Sequence, residues 1–127
     1  MARKRLPALG AQELAILKVV WRLKDVSVRE VHEALLARRP VAYTTVMTMM
    51  GTLETKGYLR KKAAEGRAYR YQPAVPEQRV VRAMVREFVD RVFDGASASL
   101  VAHLVAERPL SVAERDELRR LIDEADS

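Results

Sequence analysis

Gly57 divides two incompatible periodicities, and that division limits the folds open to this chain. Before it, Val46, Met49, Met50 and Leu53 recur at the 3–4 spacing of a helix with one buried stripe. After it, Tyr58–Lys62 and Arg67–Gln72 are short, basic, aromatic-spiked runs of strand character, joined by Ala63–Gly66 with the glycine a hairpin loop favours. The helix is therefore expected from Tyr43 to Lys56, with Gly57 at the left-handed position that closes it. Two more helices precede it. Gln12–Arg22 carries a stripe of Leu14, Leu17, Val20 and Trp21. Ser27-Val28-Arg29-Glu30 is a capping box, in which hydroxyl and carboxylate each satisfy an orphan backbone amide; the helix it starts turns Val28, Val31, Ala34 and Leu35 inward and stops before Pro40. The stretch around Val26 is expected to add a small strand. The fold class expected is mainly α with a small β-hairpin (α+β), that is, a winged helix-turn-helix.

The outer face of the third helix carries Thr45, Thr48, Thr52 and Thr55, with Thr44 and Met47 alongside. Threonine lowers helix propensity and here brings no packing gain, so the stripe is expected to serve a contact. Its hydroxyl donates to phosphate and its methyl packs on the thymine methyl, which suits a DNA groove. In the hairpin, Arg60 and Lys62 share one face, while Arg67, Tyr69 and Tyr71 share a face on the second strand. A solvated helix face and an edge hairpin guarded by its charges would use the same residue types.

Charge is distributed unevenly. Residues 1–72 carry 15 Lys/Arg against 6 Asp/Glu, and residues 73–127 carry 8 against 11, so balances of +9 and −3 make up the net +6. The first portion is built to meet a polyanion and the second is not. Pro73 and Pro76 mark the change, which sets the expected domains at 1–73 (DNA binding) and 74–127 (helical). Beyond them, Glu77–Phe93 is a helix closed by Asp94-Gly95, Ala96–Ala106 is apolar on most sides, and Ser111-Val112-Ala113-Glu114 is a second capping box. Three helices in about 50 residues enclose a core poorly by themselves. Their apolar residues Val81, Met84, Phe88, Val92, Leu100, Leu104, Leu118, Leu121 and Ile122 are therefore expected to form a dimerisation surface. A second copy of the chain is the expected partner, because two-fold homodimers dominate soluble oligomers, with packing back onto the N-terminal domain as the alternative.

An enzyme is not expected. His32-Glu33 resembles the start of a metalloprotease motif, but Leu36 stands where the second histidine ligand is needed. His32 is expected at a helix surface and His103 in an apolar helix interior, and there is no cysteine. No phosphate loop or nucleophile–base motif is present, so neither metal nor cofactor is expected. No apolar run approaches the roughly 20 residues needed to cross a bilayer. Without insertion in a membrane, the expected location is the cytoplasm.

Four segments together carry a family resemblance: Ser27-Val28-Arg29-Glu30-Val31-His32, Ala42-Tyr43-Thr44-Thr45-Val46-Met47-Thr48, Lys56-Gly57-Tyr58-Leu59 and Gly66-Arg67-Ala68-Tyr69-Arg70-Tyr71. In this order they resemble the penicillinase/methicillinase repressor (BlaI/MecI) family, and the likeness continues through Val92-Phe93-Asp94-Gly95 and Leu100–Val105 to Leu110-Ser111. The resemblance implies a winged-helix repressor that dimerises through its C-terminal helices and binds a palindromic operator. It further implies release when a membrane-bound sensor protease detects a β-lactam and the repressor is cleaved. It places Thr44, Thr45 and Thr48 in the recognition helix and residues 60–67 in the wing. The cleaved bond, Asn-Phe in the best-known members, aligns with His103-Leu104. The cysteine cluster of copper-responsive relatives is missing, and Gly10 opens the first helix where the family has threonine or serine.

The residues expected to contact DNA are thus Thr44, Thr45, Met47, Thr48 and Thr52 on the helix, and Arg60, Lys61, Lys62, Arg67, Tyr69 and Arg70 on the hairpin. The arm Arg3-Lys4-Arg5 is expected to be solvated and disordered, with a neighbouring minor groove as its alternative. The alternatives are a winged-helix regulator responding to a small ligand and a protein-interaction module.

Overall fold

A computed structural model describes residues 6–63, 66 and 69–125. The elements run α1 (Ala11–Leu23), α2 (Val28–Leu36), α3 (Tyr43–Thr55), β1 (Leu59–Ala63), β2 (Tyr69–Pro73), α4 (Glu77–Phe93), α5 (Ser97–Glu107) and α6 (Val112–Ala125). Two compact units result, one ending at Ala83 and the other beginning at Met84, so the boundary falls inside α4 rather than at Pro73. Val75 and Val80 are buried, and the Trp21 indole N–H donates to the Val75 carbonyl at 3.1 Å.

In the first unit α1, α2 and α3 pack pairwise, and α1 and α2 also meet β2. Ile16, Leu17, Val20, Val26, Val31, Val46, Met50 and Leu53 are fully buried at the centre. Because α1 is covered by two helices and a strand, it buries more than one stripe. Ile16 and Val19 are inside with Leu17, Val20 and Trp21, whereas Leu14 is only half-buried. The five threonines of α3 cost about 2–3 kcal/mol of intrinsic propensity. Burial of Val46, Met50 and Leu53 returns roughly 1.5–3 kcal/mol each, so packing decides that this segment is a helix.

The helix ends are satisfied as their residues dictate. Ser27 accepts from the Glu30 amide at 3.1 Å while Glu30 accepts from the Ser27 amide at 3.0 Å. After α3, Gly57 adopts φ +89°; its amide donates to the Glu54 carbonyl and the Tyr58 amide to that of Leu53, a Schellman closure. That closure turns the chain straight into β1. β1 and β2 pair antiparallel from Leu59↔Pro73 to Ala63↔Tyr69, and Val26 adds an antiparallel bridge to Tyr71.

In the second unit, Ser111 and Glu114 form the other capping box, with both bonds at 3.1 Å. Phe93 packs against Phe88 and against His103, at centroid distances of 5.8 and 5.3 Å. His103 is exposed, not interior, because α5 has no buried residue to enclose it. Val85, Phe88, Val92, Val101, Leu104, Val105, Leu118, Leu121 and Ile122 all lie open to solvent. Among the described residues no helix is long and apolar enough to cross a membrane.

Candidate nucleic-acid interface

Since Val46, Met50 and Leu53 are inside, the 100° turn of the helix puts Thr44, Thr45, Met47 and Thr48 outside, and all four are exposed. The first turn of α3 holds no acidic residue, and Ala42 at the N-cap supplies no side-chain bond. No side chain of the cap or first turn therefore offsets the positive end of the helix dipole. Thr52 is also exposed, but its hydroxyl donates to the Thr48 carbonyl at 3.1 Å, and Thr55 does the same to Gly51. No such bond holds Thr44, Thr45 or Thr48 among the described residues. The donating capacity of the stripe is thus concentrated in its first turn and a half.

Two residues without an expected role fix the start of α3. His32 Nε2 donates to the Val41 carbonyl at 2.7 Å, and the Tyr43 ring meets the imidazole edge-on at 5.6 Å. Together they tie the α2–α3 turn to α2. The same turn presents Arg38 and Arg39, both exposed. In sequence the His32-Glu33 pair reads only as a broken metal motif, whereas here His32 serves the α2–α3 turn.

The far end of α3 is held by an ion pair. Lys56 Nζ donates to both oxygens of Glu13, at 3.0 and 2.8 Å, and to the Ala8 carbonyl at 3.0 Å. Glu13 is 8% exposed and also accepts the Gly10 amide at 2.8 Å. The Lys56 hydrogen bond, then that of Gly10, holds its carboxyl below the usual value. The Tyr58 hydroxyl donates to the Pro7 carbonyl. Glycine has no side chain to complete a capping box, so Glu13 alone closes the start of α1.

On the hairpin Leu59 is buried, which sends Arg60 and Lys62 to the opposite face, and Arg60, Lys61 and Lys62 are all exposed. Lys61 Nζ sits 4.1 Å above the Tyr69 ring, a cation–π contact that keeps both side chains at the surface. Arg70 differs from this group. Its guanidinium binds Asp25 Oδ1 at 2.6 Å, the Asp25 carbonyl at 3.1 Å and Glu30 Oε1 at 3.0 Å. Arg67 and Arg3-Lys4-Arg5 lie outside the described residues.

A sequence profile described as penicillinase repressor matches residues 9–124. The transcriptional regulator BlaI of Mycobacterium tuberculosis is 36% identical over 125 residues, spanning 97% of this chain and 88% of that protein. The penicillinase repressor of Bacillus licheniformis is 28% identical over 95% of this chain and 94% of its own length. The solution structure of monomeric Bacillus licheniformis BlaI with the blaP half-operator superposes at a TM-score of 0.50, with 30% identity over 60% of this chain and 92% of that one. The exposed helix face, the basic hairpin and this continuous match converge, and the chain belongs to the penicillinase repressor family of winged-helix transcriptional regulators.

Proposed function

We propose that the protein is a homodimeric repressor that binds a palindromic operator. The observation that carries this reading is the α3 face, where Thr44, Thr45, Met47 and Thr48 stand exposed at an acid-free helix N-terminus. In the major groove these side chains meet base edges, with Met47 and the threonine methyls against thymine methyls. Arg38 and Arg39 at the turn, and Arg60, Lys61 and Lys62 on β1, neutralise phosphates on either side, with the Tyr69 hydroxyl as a further donor. Half-operator binding by the Bacillus licheniformis relative supports the assignment.

Dimerisation is assigned to the second unit and to Val81, which precedes it in the sequence. Met84 and Leu100 are half-buried, while Val81, Phe88, Val92, Leu104, Leu118, Leu121 and Ile122 are 38–59% exposed, an apolar surface that a monomer leaves wet. A two-fold dimer then reads half-sites about 34–36 Å apart or multiples of that.

Derepression is assigned to cleavage at His103-Leu104 by a sensor protease. In the single chain both residues are exposed and α5 buries none of its side chains, so a subunit released from the dimer offers this bond, and cutting it breaks the apolar surface to which Leu104 belongs. Footprinting of the DNA beside its own gene, with sedimentation of the complex, tests the whole reading. Protection of an inverted repeat by two subunits is expected; no protected sequence refutes it.

A further inference from the structure

Arg70 lies on the same face of the hairpin as Arg60, Lys62 and Gln72, and sequence alone groups it with the phosphate ligands. Its surroundings differ from theirs. Lys62 is its direct cross-strand partner, and like charges in that register repel. Asp25 lies beside them because Val26 bridges Tyr71, which turns the residue before it onto the face of Arg70 and Gln72. Its carboxylate takes Arg70 Nε at 2.6 Å through Oδ1 and Gln72 Nε2 at 3.1 Å through Oδ2. The Arg70 hydrogen bond, then that of Gln72, holds the Asp25 carboxyl below its usual value, and the charge of Lys62 adds to the effect. Arg70 Nη2 continues to Glu30 Oε1 at 3.0 Å, the oxygen that also accepts the Ser27 amide at 3.0 Å. One guanidinium therefore joins β2 to the α1–α2 corner and to the N-cap of α2, the helix that packs on α3.

We propose that Arg70 is a positioning residue: with Asp25 and Glu30 it latches the wing to the helix-turn-helix and sets the wing's distance from the recognition helix. The phosphate contacts on this face then fall to Arg60 and Lys62. This inference rests on the reading of the chain as a DNA-binding repressor. It makes specificity depend on residues that touch no base, since helix and wing must span the groove and the flanking backbone together.

The test uses a duplex enriched from a randomised pool by the full-length wild-type protein, and an unrelated duplex of equal length, each titrated across a salt series. Arg70→Met, Arg70→Lys and Asp25→Asn are each expected to weaken the enriched duplex by about fivefold. Their salt slopes and their affinity for the unrelated duplex should match the wild type, and Arg70→Met combined with Asp25→Asn should be no weaker than either alone. Lysine keeps the charge but not the fork that bridges two carboxylates, so it cannot rescue a latch, although it can serve a phosphate. A phosphate role gives the opposite results: Arg70→Met lowers the salt slope by about one ion, Arg70→Lys behaves as wild type, and Asp25→Asn tightens binding by releasing the cation. Any of these overturns the proposal. If Arg70→Met does not fold, Arg70→Lys and Asp25→Asn decide. A wild-type protein that enriches no duplex refutes the DNA-binding reading and this inference with it, whereas enrichment followed by phosphate-like variants refutes the inference alone.

Discussion

Replacing Lys56 by methionine removes a charge from the end of α3 while keeping most of the aliphatic stem. In the native protein its ammonium reaches both oxygens of a Glu13 side chain that is only 11% exposed, and the Ala8 carbonyl. Without it the Glu13 carboxylate keeps the Gly10 amide but stays largely out of water. Orphaning one member of a fully buried pair costs about 3–5 kcal/mol. The Lys56 side chain is 28% exposed, so water already screens part of the attraction, and a cost of about 2 kcal/mol is expected. For a unit of this size each kcal/mol lowers Tm by about 4–8 °C, giving a drop of about 8–16 °C. Trp21 is the one tryptophan in the chain and bonds Val75 within the first unit, so its fluorescence reports that unit. The pH dependence has a definite sign. Glu13 titrates below its usual 4.5 in the folded state, so the pair's stabilisation is complete above about pH 4.5 and is lost as pH falls through the lowered value. The gap between wild type and variant should therefore narrow in acid. Pairing Lys56→Met with Glu13→Leu should recover at least half of the loss, because an apolar pair leaves no stranded charge. A Tm shift under about 2 °C at pH 7, or a gap unchanged in acid, would refute the reasoning.

Three further outcomes follow from the interface. Lys62→Ala should weaken binding to all duplexes alike and reduce the salt slope by about one ion; a changed operator preference would contradict a phosphate role. Thr45→Ala should cost about 1 kcal/mol of discrimination at one base pair, whereas Thr52→Ala, whose hydroxyl already serves Thr48, should leave preference unchanged; selection from randomised duplexes separates the two. Truncation after Ala83 should leave a folded monomer, by Trp21 fluorescence and sedimentation, with much poorer operator affinity; a fragment that still dimerised would remove the second unit from that role.

Much of this architecture was legible because the signals are local. The two Ser-x-x-Glu boxes and the Gly57 closure depend on residues a few positions apart, and each appears where its chemistry puts it; the strand expected near Val26 is instead a single bridge to Tyr71, far along the chain. The threonine face was legible for the same reason, since 3.6-residue periodicity orients a side chain without reference to the rest of the fold. The rest depends on partners far apart in sequence, which no local pattern records. Glu13 reads as an ordinary first-turn acid until Lys56, 43 residues later, arrives beside it. Arg70 reads as one more basic wing residue until Asp25 and Glu30 surround it. The apolarity of its helix predicts an interior His103, yet α5 buries nothing in the single chain. Pro73 marked a change of composition, but Val75 and Val80 belong to the first unit's interior, which moves the boundary into α4.

The sequence by itself determined the kinds of element, their order, the outward face of α3 and the excess of cations before residue 73. Periodicity, capping and charge are properties of neighbouring residues and survive without coordinates. Tertiary structure alone decided which charges pair within the protein, Lys56 with Glu13 and Arg70 with Asp25 and Glu30. A carboxylate and a cation 43 or 45 residues apart pair only after the helices pack and β2 bridges Val26. A string of residues does not contain that distance until the fold closes it.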